Sequence, residues 1–399
     1  MNMRDKQSGF TLLEVLIAIA ILGIIMAMNS TLLQEMIRGT RQQSSLVASQ
    51  FETALGLEVF RNDLGNAGYG LPDAFLTNPA GTVASTYTGT CYSEPSAHAD
   101  NPAAVASFND CPNPPRAIVH SNGVVAAGYL ANSDYLVIRS PAVGMNKAAG
   151  KWTYINSDTI DYVHVWNDRS LDMENGNRMI VVRSRTATTD TAQLVMNGTA
   201  PSLYSATYNS SVLVSGEDDV PGFRPPSPPT GDRYIAYGVD NNALAMPFNR
   251  ADYYVRRWTA TGTGCAPGTG TLYKAVANQA TSGGFTTYLI MDCVANMQVV
   301  FRLDTNGDGI IDSTVGTTPA MPALSAVQIK QQVKEIQVYI LAHEGTIDRG
   351  YRHDGSGTIT VGPTSALGQD VNLSTLAGAN WNRYRWKTYT LFVKPRGFY

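Results

Sequence analysis

Residues 9–14 of the chain read Gly-Phe-Thr-Leu-Leu-Glu, and an apolar run that extends to Met28 follows them directly. Between Phe10 and Met28 the only charged side chain is that of Glu14. As an α-helix at about 1.5 Å per residue, this segment would extend about 28 Å, enough to cross a membrane's hydrocarbon core. A buried carboxylate costs about 2.5–3.5 kcal/mol on insertion scales, so Glu14 needs a partner. A free α-amino group on a neighbouring copy would be such a partner, and a cut between Gly9 and Phe10 would create it.

The segment before the apolar run is short and basic. Arg4 and Lys6 outweigh the single acidic residue Asp5. Positive charge before an apolar helix keeps the N-terminus in the cytoplasm and directs the rest of the chain across the membrane. No small-residue cleavage site of the signal-peptidase type follows the run, so we expect the helix to stay in the protein.

The helical pattern continues beyond the apolar run. Apolar residues recur at three- and four-residue steps between polar ones, at Leu33, Met36, Ile37, Val47, Phe51, Leu55 and Val59. Glycines between Gly65 and Gly70 favour helix termination, which predicts a helix that ends near Asp63 or Leu64. We expect a globular domain to cover the stripe from Val47 to Val59. The alternative is a coiled-coil stalk. A coiled coil requires sustained heptads with charged flanks, and the sequence does not have them.

Charged residues make up only 15% of the whole chain, in which Gly, Ser, Thr, Asn and Tyr are plentiful. This composition favours a β-rich domain outside the cytoplasm. A short helix is predicted from Ser325 to about Val333, and Ser121-Asn122-Gly123 predicts a hairpin between strands 117–119 and 124–126. The other predicted strands are 135–139, 160–166, 179–183, 193–196, 234–239, 253–258, 272–276, 286–291, 294–303, 335–342 and 384–393.

The predicted fold class is therefore α+β, with a long N-terminal helix packed on a large, mostly antiparallel β-rich domain. The predicted organisation has four segments: a leader at 1–9, a transmembrane half-helix at 10–28, an amphipathic half-helix at 29–64 and a globular domain at 65–399. Proline-rich stretches predict long inserted loops at 71–132 and 197–232.

The four cysteines lie in two local pairs along the sequence. Cys91 and Cys111 fall in one loop-like region, and Cys265 and Cys293 fall in another. Local pairing would give two disulfides in an oxidising compartment. Four cysteines allow three connectivities, and the sequence does not choose among them. A zinc site is the competing interpretation, but the chain has no Cys-x-x-Cys motif.

The charge distribution argues against nucleic acid as a partner. The chain has 29 basic and 32 acidic residues, a formal net charge of −3, and no basic cluster that could follow phosphates. Gly-x-Ser-x-Gly, phosphate-binding glycine-loop and His-Glu-x-x-His motifs are missing from the sequence. We therefore expect a protein that is not an enzyme.

One stretch has the pattern of a cation-binding loop. Residues 304–312 fit Asp-x-Asn-x-Asp-Gly-x-x-Asp, in which alternating oxygen donors can surround Ca²⁺. Side-chain oxygens of Asp304, Asn306 and Asp308, the Ile310 carbonyl and Asp312 are the expected ligands of one Ca²⁺. The twelfth position holds Val315 where an EF-hand has glutamate, so one ligand is missing. The alternative interpretation is a polar hairpin turn, because Asn-Gly and Asp-Gly both form turns.

Residues 1–28 closely resemble the class III signal of type IV prepilins, which has a short basic leader ending in Gly, then Phe-Thr-Leu-Leu-Glu and an apolar helix. The resemblance implies that Gly9 is the last leader residue, that Phe10 is the methylated first residue of the mature protein, and that Glu14 functions in assembly. Residues 62–70 and the basic-aromatic tail 383–396 resemble the PilW-type minor pilins. Residues 71–295 show no defensible resemblance to a known family.

This resemblance implies a role as well as a fold. PilW-type proteins prime type IV pilus assembly, and they belong to a tip complex that supports adhesion and twitching motility. The implied partners are other minor pilins and the major pilin through the helix, a PilY-type tip adhesin, the prepilin peptidase and, before assembly, the inner membrane. The expected location is the inner membrane and then the pilus tip. The alternative is a GspJ-like pseudopilin of a type II secretion system, a related class that is usually much shorter.

Overall fold

The computed structural model describes residues 11–76, 83–84, 92, 94–95, 108–124, 128–155, 164–184, 191–196, 204–208, 232–257, 264–279 and 284–398. The chain divides into two compact units, Met1–Phe51 and Glu52–Tyr399. The described part of the first unit is helical almost throughout, and the second unit holds the end of the same helix and all described strands.

The helix α1 begins at Leu12 and ends at Gly65, one residue beyond the predicted end. Its 54 residues correspond to about 81 Å at about 1.5 Å per residue. Gly68 and Gly70 then adopt φ angles of 72° and 70°, a left-handed conformation that glycine adopts without steric cost. The Gly68 N–H donates to the Arg139 carbonyl oxygen at 3.0 Å, which fastens the chain to the sheet directly after the helix.

The first unit contains a segment that could cross a membrane. Leu12–Ser30 is a helical stretch with a mean hydropathy of 2.4, and none of it is buried inside the protein. Leu16 and Ile24, for example, are 58% and 62% exposed. The chain therefore has an apolar N-terminal helix, as the sequence predicts.

The part of α1 in the second unit, Glu52–Gly65, packs on a sheet, but not through the predicted stripe. Leu55 and Val59 remain 56% and 37% exposed, so the expectation that the domain covers them was wrong. The buried face instead contains Thr53, Gly56, Phe60, Asp63 and Leu64. Three of these five are small or polar, which is why a search for hydrophobic periodicity selected the other face. Val47 and Phe51, in the first unit, are also exposed.

The larger sheet is antiparallel throughout and contains eight of the strands, which are numbered in chain order. Its main path runs β17-β14-β12-β11-β10-β4-β3, and β13 pairs with β12. These strands are β3 (Ile118–Val124), β4 (Ser133–Ser140), β10 (Asn249–Arg257), β11 (Gly270–Ala277), β12 (Phe285–Leu303), β13 (Ser313–Val315), β14 (Val333–Glu344) and β17 (Arg385–Val393).

The smaller sheet has seven strands in the order β2-β1-β7-β6-β9-β5, and β8 pairs with β6. Only the β1–β7 pair is parallel. The strands are β1 (Ala74–Leu76), β2 (Val83–Ala84), β5 (Trp152–Ile155), β6 (Arg178–Arg183), β7 (Gln193–Val195), β8 (Ser205–Thr207) and β9 (Tyr234–Asp240). β15 (Thr358–Val361) and β16 (Gln369–Asn372) form a separate hairpin. This architecture confirms the predicted α+β class.

Two short helices complete the described fold. α2 (Ala326–Gln332) lies where the sequence predicts a helix, and Ser325 caps it through a capping box with Gln328. α3 (Leu373–Ala377) was not predicted. Short 3₁₀ helices occur at Pro141–Val143, Arg169–Leu171, Gly378–Arg383 and Arg396–Phe398.

Two predictions placed a break where the structure has a continuous strand. Ser121-Asn122-Gly123 does not turn the chain, because β3 continues through it with a shift in register and pairs with β4. Gly123, at φ 52°, donates its N–H to the Asp134 carboxylate, so this Asn-Gly pair forms a bulge. The predicted strands 286–291 and 294–303 are one strand, β12, which passes through Cys293 at φ 57°.

Other predicted elements lie partly outside the described residues. Of the predicted strand 160–166, only 164–166 are described, and they are not assigned to a strand. The predicted inserted loops 71–132 and 197–232 contain the short strands β1, β2 and β8, and β3 lies within the first.

Candidate processing and assembly site

The described structure begins at Thr11, at the start of α1. Gly9 and Phe10, between which the sequence predicts a cut, lie outside the described residues. The processing prediction therefore depends on the sequence pattern and on the helix that follows it.

Glu14 lies in the first turn of α1 and bonds to Thr11. Its Oε2 accepts the Thr11 N–H at 2.9 Å and the Thr11 hydroxyl at 3.0 Å. The Glu14 N–H donates to Thr11 Oγ1 at 3.4 Å. This reciprocal capping satisfies donors that have no partner within the helix and places the carboxylate at the positive end of the helix dipole. The carboxylate is thus held at Thr11, the residue that follows the expected new N-terminus, Phe10, in the sequence.

The predicted calcium loop connects β12 to β13. The Asp312 N–H donates to the Leu303 carbonyl oxygen at 2.9 Å and closes the hairpin. Val315, the twelfth position, lies in β13 opposite Phe301 and is 4% exposed. Its apolar side chain belongs to the core, so the loop itself supplies no ligand there.

Asp304 is the best-buried acid of the loop, at 1% exposed. Its Oδ1 accepts the Gly307 N–H at 2.7 Å, and its Oδ2 accepts the Gly309 N–H at 2.9 Å. The Lys334 ammonium lies 3.5 Å from Oδ2. Burial acts to raise the pKa of Asp304, but the two N–H donors and Lys334 outweigh it, and the pKa falls below its usual value.

The other predicted ligands also bond within the loop. Asn306 and Asp308 accept the N–H groups of Asp308 and Ile310, at 2.9 and 2.7 Å. The Asp312 carboxylate accepts the N–H and hydroxyl of Thr305, which lower its pKa. Among the described residues, these acids do not form a group whose three ligand atoms lie within 4.8 Å of one another. Calcium binding would require the loop to exchange some of these bonds, and it stays a prediction.

In the described structure, the possible metal-ligand atoms of three other residues do lie within 4.8 Å of one another. These residues are Cys265, Cys293 and His343. The two cysteines form a disulfide with their Cα atoms 5.1 Å apart, which confirms this predicted pair and leaves no thiolate to bind a metal. Cys111 is also disulfide-bonded. Cys91, its predicted partner, lies outside the described residues.

His343 has a structural role beside this disulfide. It is 3% exposed, and its Nε2 accepts the Ala266 N–H at 2.8 Å. Burial lowers its pKa to about 4, so the imidazole is neutral at neutral pH and can accept this bond.

An ion pair that sequence reasoning missed anchors α1 to the larger sheet. The Asp63 carboxylate lies 2.6 Å from the Lys274 ammonium and accepts the Tyr253 hydroxyl at 2.7 Å. Phe60 stacks on the Tyr253 ring with a centroid distance of 3.9 Å. Burial raises the pKa of Asp63, against the opposing effect of Lys274. No local signal could have identified this pair, because its members are far apart in the sequence.

A second buried network joins β4 and β10 to Glu94. Arg139 and Arg250 are both 0% exposed, and both contact Glu94 Oε2, at 2.8 and 3.1 Å. Arg250 also forms a bidentate pair with Asp252, at 2.8 Å for each bond, and Tyr135 donates its hydroxyl to the same carboxylate. These charges satisfy one another, so the network fastens Glu94 to the sheet.

Comparison with known proteins identifies one feature of the chain. Residues 4–28 match the family described as the prokaryotic N-terminal methylation motif. No curated protein and no solved structure matches the chain. The motif and the apolar helix that follows it together support a type IV pilin-like protein, which fits processing by a prepilin peptidase, membrane anchoring and association with a pilus. Proteins of this class are typically structural rather than catalytic.

Proposed function

We propose that the chain is a PilW-type minor pilin that primes type IV pilus assembly and forms part of the tip complex, where it supports adhesion or twitching motility. The observation that carries the proposal is the methylation motif at residues 4–28, joined to a helix with an exposed apolar segment. Such a helix can leave the membrane only if equivalent helices bury its apolar side chains, as happens inside a filament.

The size of the domain favours a tip position over repetition along a filament. The unit Glu52–Tyr399 corresponds to a radius of gyration of about 20 Å. A shaft subunit must fit its domain into the small rise between neighbouring copies, whereas a tip subunit has no copy of itself above it. The proposed partners are the other pilins through α1 and a PilY-type adhesin through the domain. The proposed location is the inner membrane before assembly and the pilus tip afterwards.

The alternative is a GspJ-like minor pseudopilin, for which the same motif and helix are required. Deletion of the gene in its own host distinguishes the two roles. For a minor pilin, we expect surface pili sheared from the cells to disappear while protein secretion continues. Loss of secreted proteins with normal pili would support the pseudopilin and contradict the minor pilin.

Glu14→Ala in the complemented strain tests the assembly step itself. The variant should enter the membrane at least as well as the native chain, because a costly carboxylate has been removed. It should not restore piliation, because the Phe10 ammonium of a neighbour loses its partner. Glu58→Ala, which removes an exposed carboxylate that lies 3.8 Å from the Arg61 guanidinium, is the matched control and should restore pili. Normal piliation with Glu14→Ala would contradict the proposed role.

A further inference from the structure

The smaller sheet carries aromatic side chains on its surface. Along β5, exposed Trp152 and half-buried Tyr154 alternate with buried Thr153 and Ile155. Successive side chains of a strand point to opposite faces, so Trp152 and Tyr154 share the outer face. Trp152 is 37% exposed, so part of its indole ring faces solvent.

The segment 164–166 lies along β5 and contributes two more rings. The His164 N–H donates to the Tyr154 carbonyl oxygen at 3.0 Å. The Trp166 Nε1–H donates to the Trp152 carbonyl oxygen at 2.9 Å. We call Trp152, Tyr154, His164 and Trp166 the aromatic patch.

The rings of the aromatic patch support one another. Trp152 and Trp166 meet edge to face, with centroids 4.9 Å apart and planes at 70°. Tyr154 and His164 stack at 4.3 Å and 12°, and Trp166 stands at 85° to His164. At these distances the rings contact each other. A ligand would therefore lie on an outer ring face rather than in a cage between rings.

The aromatic patch is held by hydrogen bonds and lies apart from the core. The Trp166 N–H donates to Asp172 Oδ1 at 2.9 Å, and Lys151 Nζ donates to the Asp172 carbonyl oxygen at 2.6 Å. None of its four residues belongs to the buried apolar clusters of the described structure. Ring faces held in place before binding lose little conformational entropy when a ligand arrives, which favours recognition.

The charges beside the aromatic patch indicate the chemistry of the ligand. Asp168, Asp172 and Glu174 outnumber Lys151 and Arg169, and Lys151 lies 3.7 Å from Glu174. Arg169 likewise lies 3.4 Å from Asp172, so both cations are paired and the group has a net charge of −1. It therefore offers no free cation of its own to the phosphates of nucleic acids or anionic lipids. Neutral hydroxyl groups need no such cation, and carboxylates and guanidinium groups bond to them readily.

We propose that the aromatic patch binds a neutral polysaccharide, with the C–H face of one pyranose ring on the exposed face of Trp152. The negative face of the indole ring attracts the positively polarised C–H bonds of the sugar. The neighbouring carboxylates accept hydrogen bonds from its hydroxyl groups. This binding site goes beyond the pilin role and does not depend on it.

Isothermal titration calorimetry on the full chain tests the proposal with cellohexaose, chitohexaose and maltoheptaose as probes. The detergent should be a polyoxyethylene ether, because glycoside detergents would compete for the site. We expect at least one probe to bind and Trp152→Ala to weaken it about tenfold, as for other single-ring stacking contacts. Trp152→Tyr should recover most of the affinity, which a loss of folding would not allow.

Phe392→Ala is the matched control, because Phe392 is an exposed ring at 55% on β17 of the other sheet. It should leave the affinity unchanged. Failure of all three probes to bind, or equal binding by Trp152→Ala, would overturn the proposal. Trp152-dependent binding of oligo-dT or of phosphatidylglycerol vesicles, without sugar binding, would overturn it in favour of a phosphate ligand.

Discussion

The two parts of α1 differ in how their sequence relates to their contacts. In residues 12–51 the described apolar side chains are exposed except for half-buried Leu46, and the pattern that identifies the segment is purely local. In residues 52–65 the contacts are tertiary, and they pass through Gly56, Phe60 and Asp63, while Leu55 remains exposed. A local motif therefore identifies the part that assembles, whereas partners elsewhere in the chain determine the part that folds.

The difference follows from what each part must contact. A segment that will be buried by a membrane or by neighbouring copies must itself be apolar, because its partners are not in its own chain. A segment that is buried by its own domain can use a glycine or an ion pair, provided that the matching group lies opposite. Mutations in the two parts should thus separate processing and assembly from folding.

The largest effect on folding is expected from Lys274→Met. Asp63 would be left as a buried carboxylate beside Tyr253, and breaking a buried pair costs about 3–5 kcal/mol. Urea unfolding of the full mature chain in detergent, followed by tryptophan fluorescence, measures the free energy of unfolding. Processing at the N-terminus should be unaffected.

The double variant Asp63→Asn/Lys274→Met serves as the control for the lost charge pair. It should recover part of the loss, because no buried charge remains. A loss below about 1 kcal/mol for Lys274→Met, the range of an exposed pair, would mean that α1 is not anchored through this contact.

The same substitution, glycine to alanine, can be made in each part of α1 and its effects on stability compared. The two variants are Gly56→Ala and Gly39→Ala. A Cβ at Gly56 would lie 1.9 Å from the Ile290 carbonyl oxygen, so the helix must move away from β12. We expect a loss of about 3 kcal/mol, the upper range for overpacking. At Gly39 nothing lies within 4 Å, and alanine should favour the helix by up to about 1 kcal/mol. The same unfolding assay measures both, and equal effects would contradict the division of the helix.

The fold could be predicted from the sequence where its cause is local. Apolar length and the glycines after Leu64 predicted α1, strands β14 and β17 lie at the predicted strands 335–342 and 384–393, and α2 lies within the predicted helix from Ser325 to about Val333. The two-sheet arrangement and the buried ion pairs depend on residues far apart along the chain. Asn-Gly at 122–123 was misread because a turn and a bulge both need positive φ, and only the pairing with β4 decides between them.

The smallest expected effect concerns the calcium loop, a site that the sequence indicates by local pattern alone. With a Kd near 1 mM, as for weak extracellular sites, tenfold excess Ca²⁺ would add about 1.4 kcal/mol of stability. Differential scanning calorimetry of the full chain should show a higher melting temperature in Ca²⁺ and no gain after EGTA. Asp308→Ala should abolish the gain and leave the metal-free melting temperature nearly unchanged. No shift at several millimolar Ca²⁺ would make residues 304–312 a hairpin turn only.

The mass of the N-terminal peptide shows whether residues 1–28 are a prepilin signal. The chain should be co-expressed with a prepilin peptidase, purified from membranes and examined by peptide mass spectrometry. We expect a mature N-terminus at Phe10 that carries one methyl group, and an uncut precursor for Gly9→Val, since the peptidase requires a small residue before the cut. An N-terminus at Met1 in the native chain, or a normal methylated Phe10 in Gly9→Val, would contradict the account.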